Sequence, residues 1–196
     1  MNDMEVKKYR ILALFGKSGS GKDTIQNWVV SHLPNSQKII HYTTRPKRDN
    51  EIDGEDYYFV DLNDFTNKLL NANCIEATIF NNWGYGTSIE QLDINKINVG
   101  VFNLQALEIM LQDTRLDVLP VYIQCNDKER LLRVLQREHQ VNCHEVCRRF
   151  LADEKDFNAI LPESHVCFDN TAHKLYKINN RFLKHPDIEA WLTKND

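Results

Sequence analysis

Apolar and β-branched runs alternate along the chain with segments in which apolar residues recur at helical spacing. This alternation is typical of an α/β fold in which helices cover a mainly parallel sheet. It predicts strands over residues 9–15, 38–42, 98–103, 117–124 and 165–169. It predicts helices over residues 22–33, 104–113, 127–138, 142–157 and 171–184, with a short C-terminal helix over 186–192 that begins at Pro186.

Residues 43–97 interrupt the alternation. The segment contains short elements of its own: a basic turn, a strand over 57–60, a helix capped near Asp61 or Asn63, a strand over 74–80 and a Gly-Tyr-Gly turn at 84–86. Because these elements break the pattern of the core, we interpret them as an insertion that carries its own small sheet.

Length and charge limit the functions that this chain can have. With 196 residues and 23.0 kDa it fits one ordinary domain. Its 24 Lys and Arg against 28 Asp and Glu give a net charge of −4, which argues against a nucleic-acid-binding protein. Any anion that it binds must therefore meet a local positive cluster, and the densest clusters are residues 42–48 and the helix around 130–149.

Two further features concern the cellular location. The apolar run from Ile11 to Phe15 is too short for a signal-peptide core or a membrane span, so we expect a cytoplasmic protein without a membrane partner. The cysteines are odd in number and follow no disulfide or zinc-ribbon spacing, so we interpret them as reduced thiols.

Residues 16–22 read Gly-Lys-Ser-Gly-Ser-Gly-Lys between the first predicted strand and the first predicted helix. Glycines let successive backbone N–H groups point at one anion, and the helix N-terminus adds its positive end. Lys22 then reaches the β- and γ-phosphates of a nucleotide. This P-loop pattern predicts nucleotide-binding residues Gly16, Ser18, Gly19, Ser20, Gly21, Lys22, Asp23 and Thr24.

Asp23 departs from the P-loop pattern, because a Ser or Thr hydroxyl that touches Mg²⁺ normally follows the lysine. One interpretation is that Asp23 only caps the helix start, where a carboxylate suits the helix dipole. The other is that the carboxylate helps to hold Mg²⁺, which prefers oxygen ligands. The sequence leaves both open.

The stretch 43–60 places arginines and tyrosines where a second phosphate could bind. Arg45 and Arg48 flank a turn stiffened by proline, so two guanidinium groups can converge on one phosphate. Tyr57 and Tyr85 could add phenolic donors. Together these residues predict an acceptor site for a phosphate-bearing molecule.

Residues 43–60 closely resemble the guanylate kinase signature T-T-R-x-x-R-x-x-E-x-x-G-x-D-Y-x-F, and Ile75-Glu76 and 84–87 resemble the I-E and Y-G-S/T segments of that family. The resemblance covers nearly the whole chain. It implies transfer of a phosphate from ATP to GMP or dGMP with Mg²⁺, by a monomer or homodimer. It also implies one domain over 1–196 with three regions: a core of residues 1–42, 98–126 and 158–196, an acceptor-binding insertion of 43–97 and a lid of 127–157.

The resemblance also assigns roles on the acceptor side. Glu76 would accept hydrogen bonds from N1–H and the amine of guanine, whereas adenine presents a lone pair at N1. Thr87 would donate to guanine O6. His41 stands where the family has a phosphate-binding Ser, and Asn103 stands where the family has an Asp on the guanine amine.

Asp23 directly after Lys22 and Asn103 at the strand end also resemble ribose 1,5-bisphosphate phosphokinases, which share the guanylate kinase fold. That family keeps neither the second arginine nor the base-reading glutamate, whereas this chain has Arg48 and Glu76. A further alternative is a non-catalytic guanylate kinase-like module that binds phosphopeptides. Such modules typically have a degraded ATP loop, whereas residues 16–22 are intact here.

The arginines of the predicted lid match the family at the same intervals, at Arg133, Arg137 and Arg148. Closing such a lid would bring positive charge onto the transferred phosphate and exclude water. A solvated helix face is the simpler alternative. No general base is required, because a nucleotide phosphate has its second pKa near about 6 and is already ionised at neutral pH.

Overall fold

The computed structural model describes residues 7–48, 51–71, 74–80, 82–137, 142–159, 165–171 and 181–194. In chain order, the strands are β1 (Tyr9–Phe15), β2 (Ser36–Lys38), β3 (Tyr42–Thr43), β4 (Tyr58–Phe59), β5 (Cys74–Phe80), β6 (Trp83–Ser88), β7 (Ile97–Val101), β8 (Leu116–Gln124) and β9 (Val166–Asp169). The α-helices are α1 (Lys22–His32), α2 (Leu62–Asn71), α3 (Leu104–Leu111), α4 (Asp127–Arg137), α5 (Cys143–Ala159) and α6 (Pro186–Thr193), with a 3₁₀ turn at Ile89–Gln91.

Across the described ranges, the strands form two sheets. The core sheet has the order β2-β7-β1-β8-β9, and all of its neighbouring strands run parallel. The small sheet has the order β4-β3-β6-β5 and is mixed, with β6 antiparallel to both of its neighbours. The expected α/β fold with a parallel core sheet is confirmed, and the small sheet lies within the predicted insertion.

The core sheet is covered on both faces, which explains why β1 is apolar from Ile11 to Phe15. Side chains alternate along a strand, so Leu12 and Leu14 face one side, where α1 contributes Val29. Ile11 faces the other side, where α3 contributes Leu107. Because β1 is central, its end at residue 15 delivers the following loop to the middle of the sheet's carboxyl edge, where α/β folds bind ligands.

The ends of α1 follow from local sequence. Gly21 is the N-cap with a φ of 94°, in the left-handed region that glycine tolerates. The helix stops at His32, and Leu33 is extended with a φ of −95° and a ψ of 111°. A residue before proline avoids the helical region, and Pro34 follows directly.

Two local predictions were wrong. The strand predicted over 38–42 is divided between the two sheets: β2 ends at Lys38, and the chain enters the small sheet at Tyr42, which pairs with Gly86. The Gly-Tyr-Gly turn predicted at 84–86 is instead part of β6. Gly86 is required there for packing, since a Cβ would lie 2.5 Å from Leu69 Cδ1 of α2.

The remaining predicted elements agree with the structure to within a few residues. Asp61 begins α2, accepting a hydrogen bond from the backbone N of Asp64 at 2.8 Å. Most of the helix predicted over 171–184 lies outside the described residues. No helix in the described part of the chain combines the length and the apolar character needed to cross a membrane.

Candidate active site

The loop between β1 and α1 is packed tightly against Arg130 of α4 and against Asn170, which follows β9. Gly19 has a φ of 79°, and a Cβ there would lie 2.5 Å from the carbonyl oxygen of Arg130 on α4. A Cβ on Gly21 would lie 2.5 Å from Asn170 Nδ2, which itself donates to Ser20 O at 2.7 Å. Both glycines are therefore required by backbone conformation and by space.

Lys22 closes the loop on itself. Its Nζ donates to the carbonyl oxygens of Gly16 and Lys17, at 2.8 and 3.1 Å. Ser20 Oγ is buried and makes no hydrogen bond within the part of the chain that the structure describes. The lysine is thus held by weak neutral acceptors that a phosphate would replace with a charge-assisted bond.

Asp23 and Thr24 lie exposed in the first turn of α1. Gly21 holds the N-cap position without a side-chain cap, so Asp23 is not the capping residue. Burial raises the pKa of the Tyr57 phenol, and the Asp23 carboxylate is the next largest cause. Asp23 of α1 therefore interacts electrostatically with Tyr57 of the insertion.

The Asp23 carboxylate is chemically suited to Mg²⁺, which prefers oxygen ligands. Among the described residues no group of three or more His, Cys, Asp or Glu side chains is placed to hold a metal ion. Mg²⁺ is usually bound by one or two carboxylates together with substrate phosphates, and Asp23 fits that mode.

The side chain of Arg45 is held in place by a carboxylate and two aromatic rings. Its guanidinium donates to both carboxylate oxygens of Glu51, at 2.9 and 2.7 Å, and lies 5.5 Å from the ring centres of Tyr57 and Phe59. Burial opposes ionisation of Glu51, but hydrogen bonds from Arg45 and the Arg48 backbone outweigh it and lower the pKa. A carboxylate thus occupies the bidentate position that a phosphate would take.

Arg48 and Tyr85 are the two other residues of the insertion that we predicted to bind the acceptor phosphate. Arg48 is exposed, with Nη1 3.9 Å from Glu51 Oε1. The rings of Tyr57 and Tyr85 lie 6.0 Å apart. Because the pKa of Tyr57 is raised, its phenol stays protonated and remains a hydrogen-bond donor. Sequence reasoning missed Glu51 as the partner of Arg45, although the signature itself contains it.

Glu76 lies deeper in the insertion and is 3% exposed. A bulge in β5 between Cys74 and Glu76 shifts the register, so that Glu76 pairs with Thr87. Thr87 Oγ1 donates to Glu76 Oε1 at 2.7 Å, and His41 Nδ1 lies 2.7 Å from the same hydroxyl oxygen. His41 therefore lies with the expected base-reading residues, whereas the family position had suggested a phosphate contact.

Asn103 has a local structural role. It is the N-cap of α3, where its Oδ1 accepts from the backbone N of Ala106 at 2.8 Å. Its Nδ2 donates to Thr78 Oγ1 at 2.9 Å, and Thr78 is on β5 two residues after Glu76. Asn103 thus ties the start of α3 to the strand that carries the candidate base reader.

The lid arginines have different surroundings. Arg133 donates to Asn170 O at 2.9 Å, and its Nη1 lies 3.5 Å from Ser20 O of the loop. Arg148 is exposed and pairs with Glu145 at 2.7 Å. Arg137 ends α4, and its side chain lies outside the described part.

Glu145 holds two arginines of α5 at once. Arg148 and Arg149 each place Nε 2.7 Å from a Glu145 oxygen. The hydrogen bond from Arg148 is the largest cause, and together these contacts lower the pKa of Glu145 to about 2. Glu145 therefore holds both guanidinium groups on the surface of α5.

Arg130 is a buried cation in an ion network that sequence reasoning did not anticipate. It is 1% exposed and contacts Asp127, Asp153 and Glu154 at 2.8, 3.0 and 2.8 Å. Asp153 also accepts from the backbone N of Ser18 at 2.8 Å. The network therefore joins α4 and α5 to the phosphate loop, and only the pairing of Asp127 with Arg130 on one helix could have signalled it.

A cavity of about 530 Å³ lies between these segments. It brings together residues of the loop, the insertion and the lid. Its lining residues are Ser18, Arg45, Arg48, Asn82, Trp83, Tyr85, Glu145, Arg148, Arg149 and Asp153. Sequence-predicted phosphate-binding residues from three separate segments thus meet in one place.

A glycine loop that joins the central strand of a parallel sheet to a helix, with a lysine at its end, defines a P-loop nucleotide-binding protein. The family model described as guanylate kinase matches residues 8–185, and the chain belongs to the guanylate kinase family.

Individual relatives agree with this assignment. The guanylate kinase of Chlorobium luteolum is 34% identical over 82 residues, which is 42% of this chain and 42% of that protein. Human Disks large homolog 3 is 29% identical over 145 residues, covering 71% of this chain and 18% of that protein. The first curated guanylate kinases therefore match over less than half of their own length.

The fold comparison covers more of the chain. The crystal structure of guanylate kinase from Anaplasma phagocytophilum superimposes with a TM-score of 0.66, covering 96% of this chain and 89% of that one. The two are 20% identical. This similarity establishes the P-loop kinase fold.

Proposed function

We propose that the protein transfers the terminal phosphate of ATP to a nucleoside monophosphate, with GMP or dGMP as the acceptor. The observation that carries this proposal is the cavity in which Ser18 of the phosphate loop meets arginines from the insertion and from α5. A donor phosphate and an acceptor phosphate need positive charge from opposite sides, and this cavity has it.

The loop is the ATP side of the reaction. Loop N–H groups and the start of α1 would hold the phosphates, and Lys22 would exchange its two carbonyl acceptors for the β- and γ-phosphates. Asp23 would hold Mg²⁺, which neutralises phosphate charge when it is bound.

The insertion is the acceptor side. Arg45 would exchange Glu51 for the acceptor phosphate, since both present paired oxygens to its planar fork. Arg48, Tyr57 and Tyr85 would contribute further donors. The acceptor oxygen is already ionised, so these groups position it and offset its charge without removing a proton.

The lid would act last. Arg148 and Arg149 line the cavity but are paired with Glu145, and closing α5 would offer them the transferred phosphate. Arg133 and Arg137 of α4 belong to the same group in this proposal. The core, the insertion of 43–97 and the lid of 127–157 would thus act as three regions of one domain in the cytoplasm.

Glu76 supports a guanine acceptor over a sugar phosphate. Its carboxylate is buried, and among the described residues its Oε2 takes part in no hydrogen bond. Guanine supplies two adjacent hydrogen-bond donors, at N1 and N2, to which such a carboxylate is complementary. A ribose bisphosphate offers no such edge, so the ribose 1,5-bisphosphate alternative is not favoured.

A coupled assay of ADP release tests the proposal. ATP and Mg²⁺ are supplied with a panel of ribo- and deoxyribonucleoside monophosphates and, separately, with ribose 1,5-bisphosphate. We expect turnover with GMP or dGMP and loss of turnover in Lys22→Ala, whose circular dichroism and melting temperature should match the wild type.

Other results would point elsewhere. Turnover with ribose 1,5-bisphosphate alone would select the related phosphokinase activity. No ADP release with any acceptor would favour a binding module. Activity retained in Lys22→Ala would contradict the assignment of the phosphate loop.

A further inference from the structure

Three buried side chains form a hydrogen-bonded chain across the small sheet. His41 lies immediately before β3, Thr87 is on β6 and Glu76 is on β5, and β6 is between the other two strands. His41 Nδ1 lies 2.7 Å from Thr87 Oγ1, which lies 2.7 Å from Glu76 Oε1. Their exposures are 8%, 0% and 3%, so water contributes little to this arrangement.

The chemistry of the three groups determines where the hydrogens lie. An ionised carboxylate only accepts, so the single hydroxyl hydrogen of Thr87 must point to Glu76. The short contact between Thr87 and His41 then requires a hydrogen from the ring, which places it on Nδ1. The opposite tautomer would leave two oxygens 2.7 Å apart with no hydrogen between them.

The ring is held in this orientation by its neighbours. Phe102 packs edge-on against His41, with ring centres 4.9 Å apart at 87°, and the Tyr57 ring lies 6.4 Å away. His41 Nε2 is buried and has no hydrogen-bond partner among the described residues. Among the described residues, the hydrogen bond that orients the imidazole is the one through Nδ1, which also lies 3.8 Å from Glu76 Oε1.

We propose that His41 is a specificity-determining positioning residue for the acceptor base, a role that rests on the function proposed above. By donating to Thr87, His41 occupies one lone pair of the hydroxyl and directs its hydrogen away from the ring. Thr87 then acts as a hydrogen-bond donor, first to Glu76 and, once a base is bound beside Glu76, to the base.

This arrangement separates two kinds of purine. Glu76 as acceptor and Thr87 as donor match the N1–H and the C6 oxygen of guanine. Adenine presents a lone pair at N1 and an amine at C6. Its N1 acceptor would therefore face the acceptor Glu76, and its amine donor would face the donor Thr87. The direction imposed by His41 therefore adds to the selection that Glu76 makes alone.

The test compares kcat/KM for GMP with kcat/KM for AMP in His41 variants. His41→Asn keeps an amide N–H near the position of Nδ1, whereas His41→Gln places its amide near Nε2 and leaves Thr87 without a donor. We expect the GMP-to-AMP ratio to fall about tenfold in His41→Gln and His41→Ala, the effect of one hydrogen bond. His41→Asn should retain most of the ratio.

A double-mutant cycle shows whether His41 acts through Thr87. Thr87→Val removes the hydroxyl at nearly constant volume and should lower the same ratio. Adding His41→Gln to Thr87→Val should then cause no further change, because the partner is gone. The KM for ATP, which is bound elsewhere, should stay constant in all variants and confirms that each has folded.

The outcomes separate this inference from the proposed function. If the wild type does not phosphorylate GMP, the proposed function fails. If it does, but His41→Asn and His41→Gln have the same ratio, the positioning role is wrong. An equal effect of His41→Gln with and without the Thr87 hydroxyl would also overturn it.

Discussion

Asp23 is the residue at which the phosphate loop departs most from the common pattern. Its carboxylate is exposed, lies in the first turn of α1 without capping it, and contributes to the raised pKa of Tyr57. If it holds Mg²⁺, Asp23→Ala should raise the Mg²⁺ concentration for half-maximal rate more than it changes nucleotide affinity. Asp23→Ser should restore much of the loss, because a hydroxyl is the common ligand there.

Mg²⁺ titrations of the initial rate at saturating ATP, for the wild type and both variants, make this measurement. A carboxylate that only interacts with the helix dipole would contribute stability of about 0.3–1 kcal/mol. In that case, the three titration curves would superimpose and only the melting temperatures would differ.

Glu76 carries the proposed choice of base. In Glu76→Gln the amide keeps one acceptor but turns its NH₂ toward a guanine donor. Hydrogen bonds to charged groups contribute about 1.5–3 kcal/mol, so kcat/KM for GMP should fall by about 10- to 100-fold. Steady-state kinetics with GMP, AMP and CMP would measure this fall and the weaker selection expected among bases.

Glu90 offers a matched control, because it is an exposed carboxylate in the 3₁₀ turn that follows β6. Glu90→Gln makes the same chemical change outside the pocket and should leave GMP kinetics unaltered. Unchanged GMP kinetics in Glu76→Gln as well would mean that Glu76 does not read the base.

At the scale of elements, α4 and α5 are tied to the phosphate loop through Arg130. Its three carboxylate partners include Asp153, which accepts from Ser18 N, and Glu154, which pairs with Lys17. The partners Asp127, Asp153 and Glu154 are 55%, 15% and 32% exposed, so water solvates them in part and loss of the guanidinium should cost about 1–3 kcal/mol. Arg130→Met should therefore lower the free energy of unfolding by about that amount and raise the KM for ATP, as urea denaturation and kinetics would show.

Arg115→Met is the matched control for that measurement. Arg115 pairs with Asp113 at 2.6 Å, but its side chain is 41% exposed. Exposed pairs contribute about 0–1 kcal/mol, so this variant should unfold almost like the wild type and bind ATP normally. Equal stabilities of the two variants would contradict a structural role for the Arg130 network.

At the scale of the whole molecule, the two sheets hold the loop and the insertion on opposite sides of one cavity. GMP should therefore bind and stabilise the fold without ATP. At 100 times its Kd a ligand adds about 2.7 kcal/mol, which corresponds to a rise in Tm of about 5–10 °C for a chain of this size. Thermal denaturation with and without GMP measures the shift.

Arg45→Ala separates the two binding sites in the same experiment. It removes the guanidinium that Glu51 now holds, so the shift with GMP should largely disappear. A non-hydrolysable ATP analogue should still stabilise this variant, because its loop is intact. A full GMP shift in Arg45→Ala would exclude Arg45 from the acceptor site.

Some features of this protein follow from contiguous residues alone. Strand β1 was predicted at its observed bounds, since an unbroken apolar run bounded by polar residues and glycine has few alternatives. The phosphate loop could also be predicted, because its glycines, its lysine and the helix that follows are neighbours in the chain. The family resemblance rested on such local segments as well.

Other features depended on contacts between distant residues. Nothing within the run at 38–42, Lys-Ile-Ile-His-Tyr, shows that its two ends pair with different strands: Lys38 with Val99 of β7, and Tyr42 with Gly86 of β6. Glycines 84 and 86 suggested a turn, but the packing of α2 required small residues inside a strand. In both places the tertiary structure overrode local propensity.

The sequence by itself determined the fold class, the phosphate loop and the residue types available for acceptor recognition, because these depend on periodicity and on neighbouring residues. Only the tertiary structure decided which charges pair. Glu51 holds Arg45, Glu154 pairs with Lys17, and Asp153 reaches Ser18 across 135 positions of sequence. It also placed His41 beside Thr87, since a hydrogen bond depends on distance and direction in space, which residue order along the chain does not specify.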